Sequence, residues 1–188
     1  SIQPLVQEMD KTASIPSHLI KQLFDLGVMG IEIPENHGGS SGTFFHSIIA
    51  VEELSRIDPS IGLLVDVQNT LVVNALLHWG SEELKERYLS KLAQASIGAY
   101  ALLESDSGSD AFALATRAIK SGEDFLLNGR KLWTTNAHEA EVFLVFANAQ
   151  PELKHRGITA FVIDRKTPGL TVGKKEEKLG IRASSTCE

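Results

Sequence analysis

The stretch IGAYALLESDSGSD, residues 97–110, is where the character of the sequence changes. Before it, apolar residues recur at helical spacing. After Ile97 they cluster in short runs separated by turn residues, which favours strands. The sequence therefore predicts an α+β chain, with an N-terminal helical bundle over residues 1–97 followed by an antiparallel β domain over residues 98–188.

The first half contains four predicted helices. SIPSHLIKQLFDLG (14–27) has Ser14 as a candidate cap, and FFHSIIAVEELSRI (44–57) follows the turn-rich loop at 34–43. Residues 61–79 are apolar almost all round, which predicts a buried helix. Ser81 is placed to cap a fourth helix, with two glutamates at the positive end of its dipole.

The second half contains five strand candidates, and the pair Asn128-Gly129 predicts a hairpin turn because both residues tolerate positive φ. The candidates are IGAYALL, TRAIK, DFLLNGRKLWTT, EVFLVFANA and GITAFVID.

Composition narrows the classes of protein. The net charge of −6 argues against nucleic acid as a partner. A single cysteine, Cys187, allows no internal disulfide and favours a reducing compartment. The N-terminus shows no signal peptide, and polar residues from Asp66 to Asn74 interrupt the most apolar helix, so we expect no membrane span.

The loop at 104–110 has several possible interpretations. Its acids do not follow the spacing of an EF-hand, which argues against calcium. The small residues Ser107, Gly108 and Ser109 suit a phosphate cradle, which needs free backbone N–H groups and close approach. An ordinary solvated turn explains the same composition, and the residues alone leave both open.

The segment KLWTTN, residues 131–136, offers a flat apolar face beside hydroxyl and amide groups. That combination suits a planar heteroaromatic ligand, although composition alone favours a tryptophan in an ordinary β core. The six histidines include no pair at i, i+4, so we expect no metal site. No hydrolase elbow or nucleotide-binding glycine loop is present.

Five motifs in order resemble the acyl-CoA dehydrogenases, most of all their short/branched-chain group. They are GVMGIEIPENHGGSSG, VEELSRIDPSIG, ALLESDSGSD, LNGRKLWTTN and KLGIRASSTC, and they span most of the chain. The resemblance implies a β-barrel-like middle domain and FAD as the cofactor. It implies α,β-dehydrogenation of short or branched acyl-CoA thioesters, with electrons passing to an electron-transferring flavoprotein.

The resemblance also assigns residues. Those lining the flavin are implied to be Tyr100, Ala101, Leu102, Leu103, Glu104, Gly108, Ser109, Trp133, Thr134 and Thr135. Ser109 and His155 are implied to approach the acyl-CoA. Two positions depart from the family pattern: Leu103 replaces a hydroxyl residue that bonds the flavin ring, and Asp106 adds a carboxylate near the pyrophosphate.

The family's catalytic glutamate lies in a C-terminal helical domain that is absent from this chain, so no residue here is named as the base. Membership would further imply a homotetramer acting in fatty-acid and branched-chain amino-acid catabolism, in the mitochondrial matrix of a eukaryote or otherwise the cytoplasm. Two alternatives stay open: an acyl-CoA oxidase that passes electrons to oxygen, and a truncated, non-catalytic binding or assembly fragment.

Overall fold

A computed structural model describes residues 1–188, and its first half is helical as predicted. The helices are α1 Val6–Thr12, α2 Ser17–Asp25, α3 Phe44–Ser55, α4 Pro59–Asp66, α5 Asn74–Trp79 and α6 Glu82–Gln94, with a π-helical segment Val67–Val73 joining α4 to α5. Short 3₁₀ turns lie at Gln3–Leu5, Glu35–His37, Ala111–Ala113 and Pro151–Gly157.

Two predicted helix caps have different outcomes. Ser81 caps α6 as predicted, because its hydroxyl accepts a hydrogen bond from the N–H of Leu84. Ser14 does not cap α2: the extended backbone of Pro16 separates it from the first helical residue, Ser17. Proline has fixed φ, and here it sets the start of the helix itself.

The apolar run predicted to be one buried helix is continuous from Pro59 to Trp79. Asp58 begins it, with its carboxylate accepting from the N–H of Ser60 at 2.7 Å. The run is long and apolar enough to cross a membrane, but 61% of its most apolar window is buried against the rest of the chain. That is the environment of a core helix.

Two buried amides hold the π-helical segment in place. Gln68 donates to the carbonyls of Leu92 and Ser96 and accepts from the N–H of Gly98. Asn69 accepts from the N–H of Ile31 and donates to two further carbonyls. The polar interruptions in this apolar helix therefore connect it to the end of α6 and to the first strand.

Every predicted strand segment contains a strand. The strands are β1 Gly98–Ala101, β2 Arg117–Ser121, β3 Asp124–Asn128, β4 Thr134–Thr135, β5 Val142–Asn148, β6 Ile158–Asp164 and β7 Thr186–Cys187. The α+β fold class, with helices first and a β region after them, is confirmed.

The sheet is mixed rather than wholly antiparallel, and it does not close into a barrel. Strand β5 pairs antiparallel with β6 but parallel with β1, and β2 meets the end of β5 through Arg117 and Asn148. The reason lies in the connection: the long excursion from 102 to 141 carries the chain back to the same end of the sheet, and such a crossover produces a parallel pair.

The hairpin predicted at Asn128-Gly129 is wrong. The turn lies one strand earlier, between β2 and β3, where Gly122 adopts a φ of +66°. Gly129 serves a different purpose, because a Cβ there would collide with the side chain of Thr116. A tight approach between two segments, and not a reversal of the chain, requires glycine at this position.

The larger hydrophobic core draws on both halves of the chain. Helical residues such as Met9, Leu23 and Leu64 pack in one cluster with Phe143 of β5 and with Cys187. A second cluster forms around α5, α6 and the π-helical segment. The π-helical segment also packs against β1, which places helical side chains beside the exit of that strand.

Candidate active site

An apolar pocket of about 180 Å³ lies where the π-helical segment faces the exit of β1 and the entry of β4. Seven of its eight lining residues are hydrophobic, and the eighth is a threonine. They are Val67, Leu71, Tyr100, Leu102, Leu103, Leu132, Trp133 and Thr135. An apolar cavity with few polar groups is the usual form of a small-molecule site.

Trp133 is the most distinctive residue of this pocket. Its side chain is 59% exposed, and its φ of +51° lies in the left-handed region that large residues rarely adopt. An exposed indole on strained backbone stabilises neither the core nor the local conformation. Such strain concentrates at ligand sites, where the surrounding structure maintains it.

The two threonines after Trp133 face opposite ways. Thr135 lines the pocket, whereas Thr134 is buried on the other side of β4. This alternation follows from the pleat of a strand, which sends successive side chains to opposite faces. Of the predicted Trp133, Thr134 and Thr135, the structure brings the first and third to the pocket.

The same alternation applies at β1. Tyr100 and, beyond the strand, Leu102 and Leu103 line the pocket, while Ala101 packs into the core. The ring of Tyr100 lies 5.0 Å from that of Phe146, and burial raises the pKa of its hydroxyl. Tyr100 is therefore a neutral wall of the pocket at physiological pH.

Leu103, which replaces a hydroxyl residue of the family, keeps a free donor. Its backbone N–H bonds no protein acceptor, and neither does that of Trp133, whereas the Leu103 carbonyl accepts from Leu132 at 2.9 Å. Two unpaired backbone donors thus belong to residues that line an otherwise apolar pocket. A ligand with ring carbonyls or ring nitrogens matches that arrangement.

Glu104 lies beside the pocket without lining it, since its carboxylate is taken by protein donors. It accepts from the N–H of Ala115 at 2.6 Å, from the N–H and hydroxyl of Thr116, and from the Lys131 ammonium at 2.6 Å. Burial alone would raise the pKa of Glu104, but these hydrogen bonds lower it. Burial lowers the pKa of Lys131, and the negative charge and hydrogen bond of Glu104 partly offset this lowering.

The loop after Glu104 is a tight turn with an open tip. Glu104 and Ser107 exchange both backbone hydrogen bonds, and the buried hydroxyl of Ser107 donates to the carbonyl of Asp110. The N–H groups of Gly108 and Ser109 donate to no protein acceptor, and a Cβ at Gly108 would meet nothing within 4 Å. Small exposed residues with free N–H groups satisfy the requirements of an anion cradle.

Asp106, the added carboxylate, is exposed at the tip of this turn, where its one hydrogen bond is from the neighbouring Ser105 hydroxyl. His155 lies outside the pocket lining. The centroid of its ring lies 5.3 Å from that of Phe112, an exposed residue shortly after Ser109, and the two rings are tilted by 42°. The structure therefore brings His155 to Phe112 and not to the residues that line the pocket.

Sequence reasoning missed three lining residues: Val67, Leu71 and Leu132. Val67 and Leu71 are one helical turn apart, a spacing that places them on one face. The helix is apolar almost all round, however, so its pattern does not indicate which face meets a ligand. Leu132 was not distinguishable in the sequence from the other apolar residues of its strand candidate.

The site fits a flavin in its chemistry. An apolar wall, an exposed indole and unpaired backbone donors match a planar heteroaromatic ring, and the Gly108–Ser109 donors match a phosphate. No group of three His, Cys, Asp or Glu side chains is arranged to hold a metal ion.

Comparison with known families identifies the class of protein to which this helical half and β half belong. Residues 1–96 match the acyl-CoA dehydrogenase N-terminal domain, and residues 99–188 match the acyl-CoA dehydrogenase middle domain. The chain belongs to the acyl-CoA dehydrogenase family.

Among curated relatives, a probable short/branched chain specific acyl-CoA dehydrogenase of Dictyostelium discoideum is 54% identical over the whole chain, which covers 46% of that relative. The mitochondrial short/branched chain specific enzyme of Rattus norvegicus is 46% identical, and the chain covers 43% of it. The chain therefore spans about half the length of the curated relatives it matches.

Solved structures agree with this assignment. Butyryl-CoA dehydrogenase from Megasphaera elsdenii superposes with a TM-score of 0.94 at 36% identity, over 99% of this chain and 50% of that one. A glutaryl-CoA dehydrogenase from Mycobacterium smegmatis in complex with FADH2 superposes with a TM-score of 0.88 at 35% identity, over 99% and 47%.

Proposed function

We propose that this chain forms the flavin and acyl pocket of an enzyme that dehydrogenates short or branched acyl-CoA thioesters between Cα and Cβ. The observation that carries the proposal is Trp133, which is exposed, strained and set at an apolar pocket. We further propose that residues 1–97 and 98–188 are two domains, with the pocket where they meet.

FAD is the proposed cofactor, and when bound it supplies the acceptor for the hydride that leaves Cβ. Trp133 would cover the ring system, with Thr135 and the free N–H of Leu103 as hydrogen-bonding partners. Gly108 and Ser109 would hold the pyrophosphate through their free N–H groups. The end of β1 and the segment that follows it, from Tyr100 to Glu104, would support the flavin. Ala101, Glu104 and Thr134 would act there through their packing and not by direct side-chain contact.

The apolar remainder of the pocket is the proposed acyl site. Val67, Leu71 and Leu102 provide its wall, and the whole pocket measures only about 180 Å³, which favours a small acyl group. Drug-sized ligands occupy roughly 300–1,000 Å³ by comparison. This wall also excludes water from the reacting carbons, which strengthens the electrostatic stabilisation of the developing enolate.

The coenzyme A portion is proposed to run over the surface that carries Ser109 and His155. The contact between the rings of Phe112 and His155 supports this path, because Phe112 closely follows the 108–109 loop, whose N–H groups are free. The lining of the pocket contains no carboxylate and no histidine. We place the catalytic base outside these residues, on a glutamate of the family's C-terminal helical domain.

Electron transfer is proposed to go to an electron-transferring flavoprotein, as the resemblance implies, and the active form is proposed to be a homotetramer. In a eukaryote the proposed location is the mitochondrial matrix, which agrees with the mitochondrial designation of the rat relative. Reduction of the flavoprotein without oxygen uptake, in the enzyme that contains this chain, would separate the dehydrogenase from an oxidase.

The test is a titration of the chain with FAD, followed by visible absorbance and by tryptophan fluorescence. The chain has two exposed tryptophans, Trp133 at 59% and Trp79 at 87%, which makes Trp79 a matched control. We expect FAD to quench Trp133 fluorescence, Trp133→Ala to weaken FAD binding at least tenfold, and Trp79→Ala to leave it unchanged. Equal affinities in all three proteins would overturn the proposal.

A further inference from the structure

The buried ion pair between Glu104 and Lys131 lies directly behind the pocket. Its side chains are only 8% and 9% exposed, and Nζ lies 2.6 Å from Oε1. The carboxylate accepts from three further protein donors, as described above, and Lys131 also donates to the carbonyl of Leu102 at 3.0 Å.

This pair joins three segments that are distant in sequence. Glu104 belongs to the exit of β1, Ala115 and Thr116 to the entry of β2, and Lys131 to the approach to β4. The Lys131 ammonium and the N–H of Leu132 both bond the 102–104 segment, so two consecutive residues anchor the chain before Trp133.

The chain after Trp133 is anchored separately. Thr134 and Thr135 pair with Cys187 and Thr186, and the N–H of Asn136 donates to Ser185. Trp133 therefore sits between two fixed points. A left-handed conformation at a bulky residue persists only where its surroundings impose it, and the first of these two anchors depends on the ion pair.

Stability alone does not explain a buried ion pair. Desolvation offsets much of its attraction, and apolar replacement of both partners is often neutral. The pair must therefore act through geometry. We propose that Glu104 and Lys131 are positioning residues of the flavin pocket, which hold Trp133 in its strained orientation. This inference rests on the proposed function where it concerns the binding of FAD. The effect of the ion pair on the position of Trp133 does not depend on that function.

The experiment uses the chain with Trp79→Phe, so that Trp133 is the only tryptophan. In the absence of flavin, Lys131→Met should move the emission of Trp133 to longer wavelength and increase its quenching by acrylamide. FAD affinity should fall about tenfold, the effect that loss of a supporting partner has at metal sites. Arg130→Met is the matched control, since that neighbouring side chain is 73% exposed and paired only with Glu188.

The double variant Glu104→Gln/Lys131→Met separates an effect on the position of Trp133 from an effect on the stability of the fold. It removes the unpaired buried charge, so its urea midpoint should recover toward that of the parent while the fluorescence of Trp133 stays altered. It also serves if Lys131→Met alone does not fold. Unchanged fluorescence and FAD affinity in the folded double variant would overturn the inference. If Trp133 moves but no variant, including Trp133→Ala, changes FAD affinity, the positioning role holds and the proposed function fails.

Discussion

Replacing Gln68 with leucine should destabilise this chain far more than the loss of one exposed amide would. Gln68 is fully buried and makes three hydrogen bonds, two of them at 2.7 and 2.8 Å. Its partners are the carbonyls of Leu92 and Ser96 and the N–H of Gly98, and none of these has another partner. Gln68 thus closes the C-terminal end of α6 and fixes the start of β1.

The magnitude follows from what leucine leaves behind. A buried main-chain group without a partner costs about 1–3 kcal/mol. The N–H of Gly98 and the carbonyl of Leu92 are buried, whereas Ser96 is partly accessible and can use water. We therefore expect a loss of about 3 kcal/mol, a large part of the 5–15 kcal/mol typical of a domain.

Urea denaturation followed by far-UV circular dichroism measures this loss. With a slope near 2 kcal/mol per molar urea, the midpoint should fall by about 1.5 M. Gln22→Leu is the matched control, since Gln22 is exposed on α2 and its side chain makes no hydrogen bond. A loss below about 1 kcal/mol for Gln68→Leu would mean that the three groups find other partners, and the reasoning would be refuted.

Three further predictions concern the pocket and its supports. Leu103→Thr should restore a hydroxyl at the pocket and tighten FAD binding by up to about tenfold, as one hydrogen bond contributes about 1 kcal/mol; weaker binding in a fluorescence titration would contradict this. Because the pKa of Glu104 is lowered in the folded chain, its contribution to stability is complete above the ordinary pKa and is lost as pH falls through the lower folded value. Urea midpoints measured from pH 7 to pH 3 should therefore fall less steeply for Glu104→Gln, and parallel curves would refute the assignment. Gly98→Ala should lower the thermal midpoint, since the new Cβ would lie 2.6 Å from Cγ1 of Val72 and overpacking costs about 1–3 kcal/mol, whereas Gly180→Ala, with open space around it, should not.

Short-range patterns determined the elements of this chain. Apolar spacing identified the helices, and runs of β-formers identified the segments of β1 to β6, because both depend on neighbours in sequence. The choice of Trp133 as a candidate ligand contact likewise came from its immediate company of hydroxyl residues. The motifs in order, and not any single residue, indicated the family.

Long-range pairing decided the rest. The parallel alignment of β1 with β5 depends on where a long excursion returns. The hairpin lies at Gly122, whereas Gly129 allows a close approach to Thr116. A local turn signal cannot distinguish a reversal from a close approach. Glycine suits a chain reversal and also a close approach between segments. Only the neighbouring segment determines which of the two occurs.

The pocket shows the same division. The family resemblance implied that Tyr100, Leu102, Leu103, Trp133 and Thr135 line the flavin, and the structure brings these five around one cavity. Only the tertiary structure shows that Val67 and Leu71 complete the wall of the pocket, because the pattern of a helix that is apolar almost all round does not indicate which face remains open. The structure also directs three of the implied residues away from the pocket. Ala101 and Thr134 point away because of the pleat of their strands, and Glu104 because it pairs with the buried Lys131. Residue type is a property of the chain, but orientation and burial depend on contacts between segments far apart in sequence.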